Sequence, residues 1–156
     1  ISVTGVQTCA LPILKKMTDN FDHYELFEHR LKEQYPEMFS QPYGGIAVGE
    51  GWWPIIESLC NQIHHYVKHK NEQRDQYNRG EGCPPVIVAQ IKEKFGGLRF
   101  YYNGGDATVD GMVRMAESWA AHSCEECGKP GERRSGSWIR TLCDEHDQKR
   151  KERIVK

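Results

Sequence analysis

The sequence predicts an α+β protein in which helices pack on a β-hairpin and a small cysteine-held module closes the C-terminal end. Three patterns carry that prediction. Ile55, Ile56, Leu59, Ile63, Tyr66 and Val67 form one apolar stripe at helical spacing. Val86–Tyr102 is rich in β-branched and aromatic residues around Gly96-Gly97, the pattern of a hairpin with a tight turn. Cys124, Cys127, Cys143 and His146 form two pairs separated by 15 residues, which is metal-ligand spacing.

In chain order, the first segment reads as foreign. Val3–Ile13 (VTGVQTCALPI) back-translates without a gap into a string similar to a common sequencing-library adapter, so residues 1–13 are set apart from fold and function. The native start then lies upstream or at Met17. Asp22 followed by Glu25 has the form of a capping box, and Tyr24, Phe27, Leu31 and Tyr35 recur at helical spacing until Pro36. Met38–Gly51 is irregular and glycine-rich, with a short strand expected at Gly45–Val48. Trp53-Pro54 opens the second helix, proline being suited to a first turn. A Gly96-Gly97 turn would pair Phe95 with Leu98, Glu93 with Phe100 and Ile91 with Tyr102. Ile87, Ala89, Ile91, Phe95, Leu98, Phe100 and Tyr102 would then face the core, opposite Val88, Gln90, Lys92, Lys94, Arg99 and Tyr101. Thr108 is placed to cap a third helix with Met112, Met115, Ala116 and Trp119 inward. The expected units are an α+β domain at 14–121 and a module with a basic tail at 122–156.

Composition bounds the rest. The chain has 156 residues and a formal net charge of -1, so bulk charge points to neither nucleic acid nor a membrane. Charge is uneven: residues 14–82 carry a net -3 and residues 83–156 a net +2. The basic stretch Gln148–Lys156 reads as a solvated helix end. No apolar run is long enough to span a bilayer, so no membrane association is expected. Six cysteines, three of them at metal spacing, do not make a disulfide scaffold, and a reducing cytoplasm is expected.

Cys124-Glu-Glu-Cys127-Gly128 has the form of a zinc knuckle, in which two thiolates grip one ion and the glycine permits the turn. Cys143 and His146, at i and i+3, complete three sulfurs and one nitrogen around a single structural Zn²⁺. Pro130, Gly131 and Gly136 suit a small hairpin between the pairs, and knuckle, hairpin and helix together resemble a treble clef. Trp138 and Ile139 are expected to cover the site and dock it on the third helix.

No catalytic residue is assigned. His64 and His65, as neighbours on a helix, point apart and cannot share a metal. Trp52 and Trp53 read as core or as a stacking platform. Lys92, Lys94, Arg99 and Tyr101 read as an ordinary solvated sheet face or as a surface for a phosphate and a ring. Walker, GxGxxG and nucleophile-elbow patterns are absent.

Pro42–Trp52 with Ile55-Ile56, QIKEKFGGLRFY at Gln90–Tyr101, CEECGKPG at Cys124–Gly131 and WIRTLCDEH at Trp138–His146 resemble an uncharacterised family of small zinc-binding proteins of tailed phages and prophages. That resemblance implies a phage accessory context in a bacterial cytoplasm and the same four zinc ligands, and it implies no activity. The expected function is a non-enzymatic binder of nucleic acid or a host protein. The alternative is a counter-defence protein that binds a nucleotide-type ligand on the Trp52/Trp53 and Lys92/Arg99 surfaces, and an enzyme such as a nuclease comes third. Deleting residues 1–13 is expected to leave the melting temperature unchanged, because an adapter translation has no selected contacts; differential scanning fluorimetry of both chains checks this.

Overall fold

The computed structural model of the chain describes residues 23–78 and 80–154. Helix α1, His23–Gln34, buries Phe27 and Leu31, and Tyr35 just beyond it is buried too. Tyr24 stays largely exposed, edge-on to Trp53 with ring centroids 5.2 Å apart. The expected cap Asp22, like residues 1–13 and Met17, lies outside the described residues. Strand β1, Ile46–Ala47, runs parallel to β2 with Ile46 opposite Ile91. One 3-10 turn, Glu50–Trp52, leads into α2, Trp53–Tyr77. Pro54 sits in its first turn, where a missing N–H removes no helix bond. Ile56, Leu59, Cys60 and Ile63 are buried along one side, with Ile55, Tyr66 and Val67 packed at its margin. The helix runs on through its polar half to Asn78, whose left-handed φ of 49° ends it.

Strands β2, Ile87–Lys94, and β3, Gly97–Asn103, form the expected antiparallel hairpin, but in a different register. Glu93 pairs with Leu98, Lys92 with Arg99 and Ile91 with Phe100, so the two-residue loop is Phe95-Gly96 and not Gly96-Gly97. Both loop residues have positive φ, 54° and 77°, as a type I′ turn requires. A bulge between Val88 and Gln90 then turns Val88 inward in place of Ala89 and Ile87. The buried face is Val88, Ile91, Leu98 and Phe100, while Phe95 is 64% exposed. The expected register would have set Glu93 opposite Phe100 in the core; the observed one gives Phe100 an isoleucine partner.

Helix α3, Ala107–Ala120, is capped by Asp106 and not Thr108: the carboxylate accepts the Thr108 and Val109 N–H groups at 3.0 and 3.3 Å. Tyr66 on α2 also donates to it, at 2.7 Å, and holds the Asp106 carboxyl below its ordinary range. The inward stripe is Val109, Val113, Ala116 and Ala120, and the expected inner residues Met115 and Trp119 are exposed. Both stripes have helical spacing, so period alone does not choose between them. The stripe of smaller residues lies inside, where α3 approaches the sheet and α2.

The C-terminal module has strands β4, Glu132–Arg134, and β5, Arg140–Leu142, then helix α4, Asp144–Ile154. It docks on the 3-10 turn and on the hairpin loop, with Trp138 and Ile139, expected on α3, lying instead against Glu93 and Gly96. Gly51 N–H donates to the Glu125 carbonyl at 2.8 Å, and the indole N–H of fully buried Trp52 donates to the Ser123 carbonyl at 2.8 Å. Thr141 Oγ1 donates to the Gly96 carbonyl at 2.5 Å. Among the described residues no helix is long and apolar enough to cross a membrane. A Cβ on Gly51 would lie 2.2 Å from the Cys124 carbonyl oxygen, main chain against main chain. Gly51→Ala is therefore expected to destabilise the fold by roughly 3 kcal/mol, read as a lowered urea midpoint.

Candidate functional site

The knuckle forms where α3 ends. Ser123 bridges Pro130, Cys124 N–H donates to the Lys129 carbonyl at 2.7 Å, and Gly128 adopts φ 72° to turn the chain back. That brings Cys124 and Cys127 beside Cys143, just before α4, and His146, in its first turn. The ligand atoms of all four lie within 4.8 Å of one another and could hold one metal ion. His146 Nδ1 is 3.5 Å from Cys124 Sγ and 3.3 Å from Cys143 Sγ, and Cys127 Sγ is 3.9 Å from Cys143 Sγ. A tetrahedral ion with metal–sulfur bonds of about 2.3 Å and metal–nitrogen bonds of about 2.0 Å sets sulfurs about 3.8 Å apart and sulfur and nitrogen about 3.5 Å apart, so the donor set fits. The His146 backbone N–H lowers the Cys143 thiol to about 7, toward the thiolate a metal needs.

The other described cysteines, Cys60 and Cys83, stand outside this group. Cys60 lies in the core, where burial pushes its thiol up to about 12. Cys83 is buried where Asn71 holds its backbone at both N–H and carbonyl. His122 turns its Nδ1 to the Ser118 carbonyl at 3.0 Å and stands outside the group.

Between module and main sheet, Glu125 acts as a clamp. Its carboxylate is 5% exposed, accepts the Gly49 N–H at 3.1 Å and takes two bonds from Arg140 at 3.1 and 2.9 Å. On α4, Arg150 donates to the carbonyls of Ser135 and Trp138 and to Asp147, which pins the loop joining β4 to β5. Lys149 and Lys151 pair with Glu145 and Asp147 on the same helix. Lys149, Arg150 and Lys151 of the basic stretch are thus ion-paired along their own helix.

The two tryptophans do not join the hairpin cations. Trp52 is wholly buried and offers no face to a ligand. Trp53 is half-buried, its ring stacked on Phe27 at 4.6 Å. On the hairpin, Lys92 and Arg99 stand directly opposite each other, correcting the expected Lys94–Arg99 pair. The Lys92 ammonium lies 5.3 Å from the Tyr101 ring, and Arg99 reaches Glu117 on α3 at 3.7 Å. Glu93 accepts from the Gly96 N–H at 2.5 Å and the Trp138 indole at 3.2 Å. Trp138, expected as a cover, is 66% exposed beside a cleft of about 800 Å³ that Tyr24, Glu126 and Arg140 also line. Phe95 and Trp138, expected to be inward, are both exposed, and Glu125 is not singled out by the sequence. The FGG run also admits a loop at Phe95-Gly96, which was the available signal for Phe95.

Fold and site together define an α+β protein with a Cys3His group suited to one metal ion. The chain matches no protein-family model, and no curated protein or solved structure is significantly similar to it. Glu125→Ala is expected to lower the unfolding free energy by about 3 kcal/mol, since it leaves Arg140 and the Gly49 N–H unpaired. Glu126→Ala, which removes only an exposed partner of Arg140, is expected to cost about 0.5 kcal/mol; urea titrations of both variants compare the two.

Proposed function

We propose that this chain is a non-enzymatic phage accessory protein that binds nucleic acid on its β2–β3 hairpin, with one structural zinc ion holding a treble-clef-like module against that hairpin. For zinc, the support is the donor set: three sulfurs and one imidazole nitrogen at tetrahedral separations. Four protein ligands fill the tetrahedron, so the ion is structural. The treble-clef reading rests on the order knuckle, β4–β5 hairpin, then α4 with Cys143 and His146 at its start. The phage context rests on the resemblance of the four sequence segments.

One observation carries the nucleic-acid reading. Lys92 and Arg99 are cross-strand neighbours with exposed Tyr101 beside them and Lys94 nearer the turn. Like charges in that position repel, and Glu117 reaches Arg99 alone. Phosphates along the strand face would relieve the repulsion while Tyr101 offers a ring to a base. A host protein is the second reading. Its support is an apolar groove of about 150 Å³ between α2 and α3, lined by Ile55, Leu59, Met112, Met115 and Trp119.

Elemental analysis of protein purified under reducing conditions is expected to find about one zinc per chain, and none in Cys127→Ser. Combining Lys92→Ala, Lys94→Ala and Arg99→Ala is expected to weaken nucleic-acid binding and to flatten its salt dependence by about 0.7 in log–log slope for each lost single-strand phosphate contact. Fluorescence anisotropy over a salt series reads both, and unchanged affinity and slope would remove the hairpin face from the binding surface.

A further inference from the structure

We propose that Phe95 and Trp138 form a stacking site for the unpaired bases of single-stranded nucleic acid, held open by the metal module through Thr141 and Glu93. This rests on the nucleic-acid reading above and adds residues and a strand class to it. Phe95 is the first observation. A type I′ turn asks for positive φ at both loop residues, which Asn-Gly meets without strain and a bulky aromatic does not. Here a phenylalanine takes φ 54° while standing 64% exposed. It is not part of the core cluster, and its neighbour Lys94 lies 5.5 Å from its ring. A strained, solvent-facing aromatic held by its surroundings is the kind of outlier that marks a binding site.

The second observation is that the surroundings do hold it. Gly96, next to Phe95, has both backbone polar groups engaged: its N–H by Glu93 Oε1 at 2.5 Å and its carbonyl by the hydroxyl of buried Thr141 at 2.5 Å. The other oxygen of Glu93 takes the Trp138 indole N–H at 3.2 Å. One carboxylate therefore ties the Phe95 turn to the Trp138 ring. Arg150 secures the same ring's backbone through the Trp138 carbonyl at 3.0 Å. The Trp138 ring and the backbone of the Phe95 turn are thus held before any ligand arrives, which lowers the entropy lost on binding. Thr141 sits in β5, two residues before Cys143, so metal coordination and the Phe95 turn share one short strand.

Chemistry selects the ligand. Lys94, then the Lys92–Arg99 pair, follow Phe95 down one face of the hairpin and Tyr101 comes after them opposite Gln90, so cations for phosphate lie between two rings for bases. Base faces are free only when unpaired, so a single strand fits and a duplex does not. DNA and RNA share this chemistry, and the experiment separates them.

The test uses the full, metal-loaded chain with fluorescein-labelled oligo(dT) and oligo(U) of about 12 nucleotides, followed by anisotropy. Tight binding to one or both is expected, with a duplex of the same length weaker by at least about tenfold. Phe95→Asn, which suits the turn better than phenylalanine, and Trp138→Ala are each expected to weaken binding about tenfold. Phe95→Tyr is expected to retain it. Thr141→Val, a positioning variant, is expected to lose about tenfold while zinc content stays at one per chain, and Thr141→Ser to restore the affinity. If the triple lysine–arginine variant weakens binding while Phe95→Asn and Trp138→Ala do not, the stacking site is wrong and the nucleic-acid reading stands. If neither oligonucleotide binds, both fail. Equal affinity for the duplex, or binding to anionic phospholipid vesicles alone that Phe95→Asn abolishes, also overturns the proposal.

Discussion

A turn of four residues seated on the metal-site knuckle supports most of what is distinctive in this fold. Gly49, Gly51 and Trp52 all donate to the segment Ser123–Glu125: Gly49 to a carboxylate, Gly51 to a carbonyl and Trp52 to another carbonyl through its indole. The approach is main chain to main chain, so neither glycine has room for a Cβ. Trp52 fills the centre of the core and reaches the module with the same side chain. Buried backbone donors must find acceptors, and here the acceptors belong to the stretch that also presents Cys124. The Cys3His group and the core packing therefore share their covalent framework, so a metal ion held by the module would couple to folding of its neighbour.

The second point of contact, at the hairpin loop, has a different character. It rests on side chains reaching to one glycine: Glu93 from the hairpin itself and Thr141 from β5. The loop position follows from that embrace together with the burial pattern. With Phe95-Gly96 as the turn, Ile91 meets Phe100 in the core and Glu93 lies at the end of the inner face, where its charge meets donors and not hydrocarbon. A carboxylate opposite Phe100 would have had to lose its hydration without recompense.

Charge follows the same division. On α4 the basic residues pair with acids one turn away or with loop carbonyls, so their function is to brace the module. On the hairpin, Lys92 and Arg99 face each other across the strands, and the acid within reach, Glu117, is also engaged by the Phe100 N–H at 3.0 Å. The Lys92–Arg99 pair thus shares one acid, whereas Lys149, Arg150 and Lys151 each have an acid on their own helix.

The sequence by itself determined the α+β class, the helix that carries the core, the existence of the hairpin and the four Cys/His residues that cluster where they could hold a metal ion. These are local properties: apolar period, turn chemistry and ligand spacing are written within short windows. Tertiary structure decided everything that depends on which of two equivalent local solutions packs better. Gly96-Gly97 and Phe95-Gly96 both make two-residue turns, and the choice rested on Glu93, Thr141 and the core partner of Phe100. Two stripes of α3 share the helical period, and close approach of α3 to the sheet selected Val109, Val113, Ala116 and Ala120 over Met115 and Trp119. The seat of the module lay beyond reach as well, because Gly49 and Gly51 look like any flexible loop until Glu125, 74 residues after Gly51, comes to rest on them. Contacts between distant segments depend on shape and burial in three dimensions, and no period or spacing along the chain encodes them.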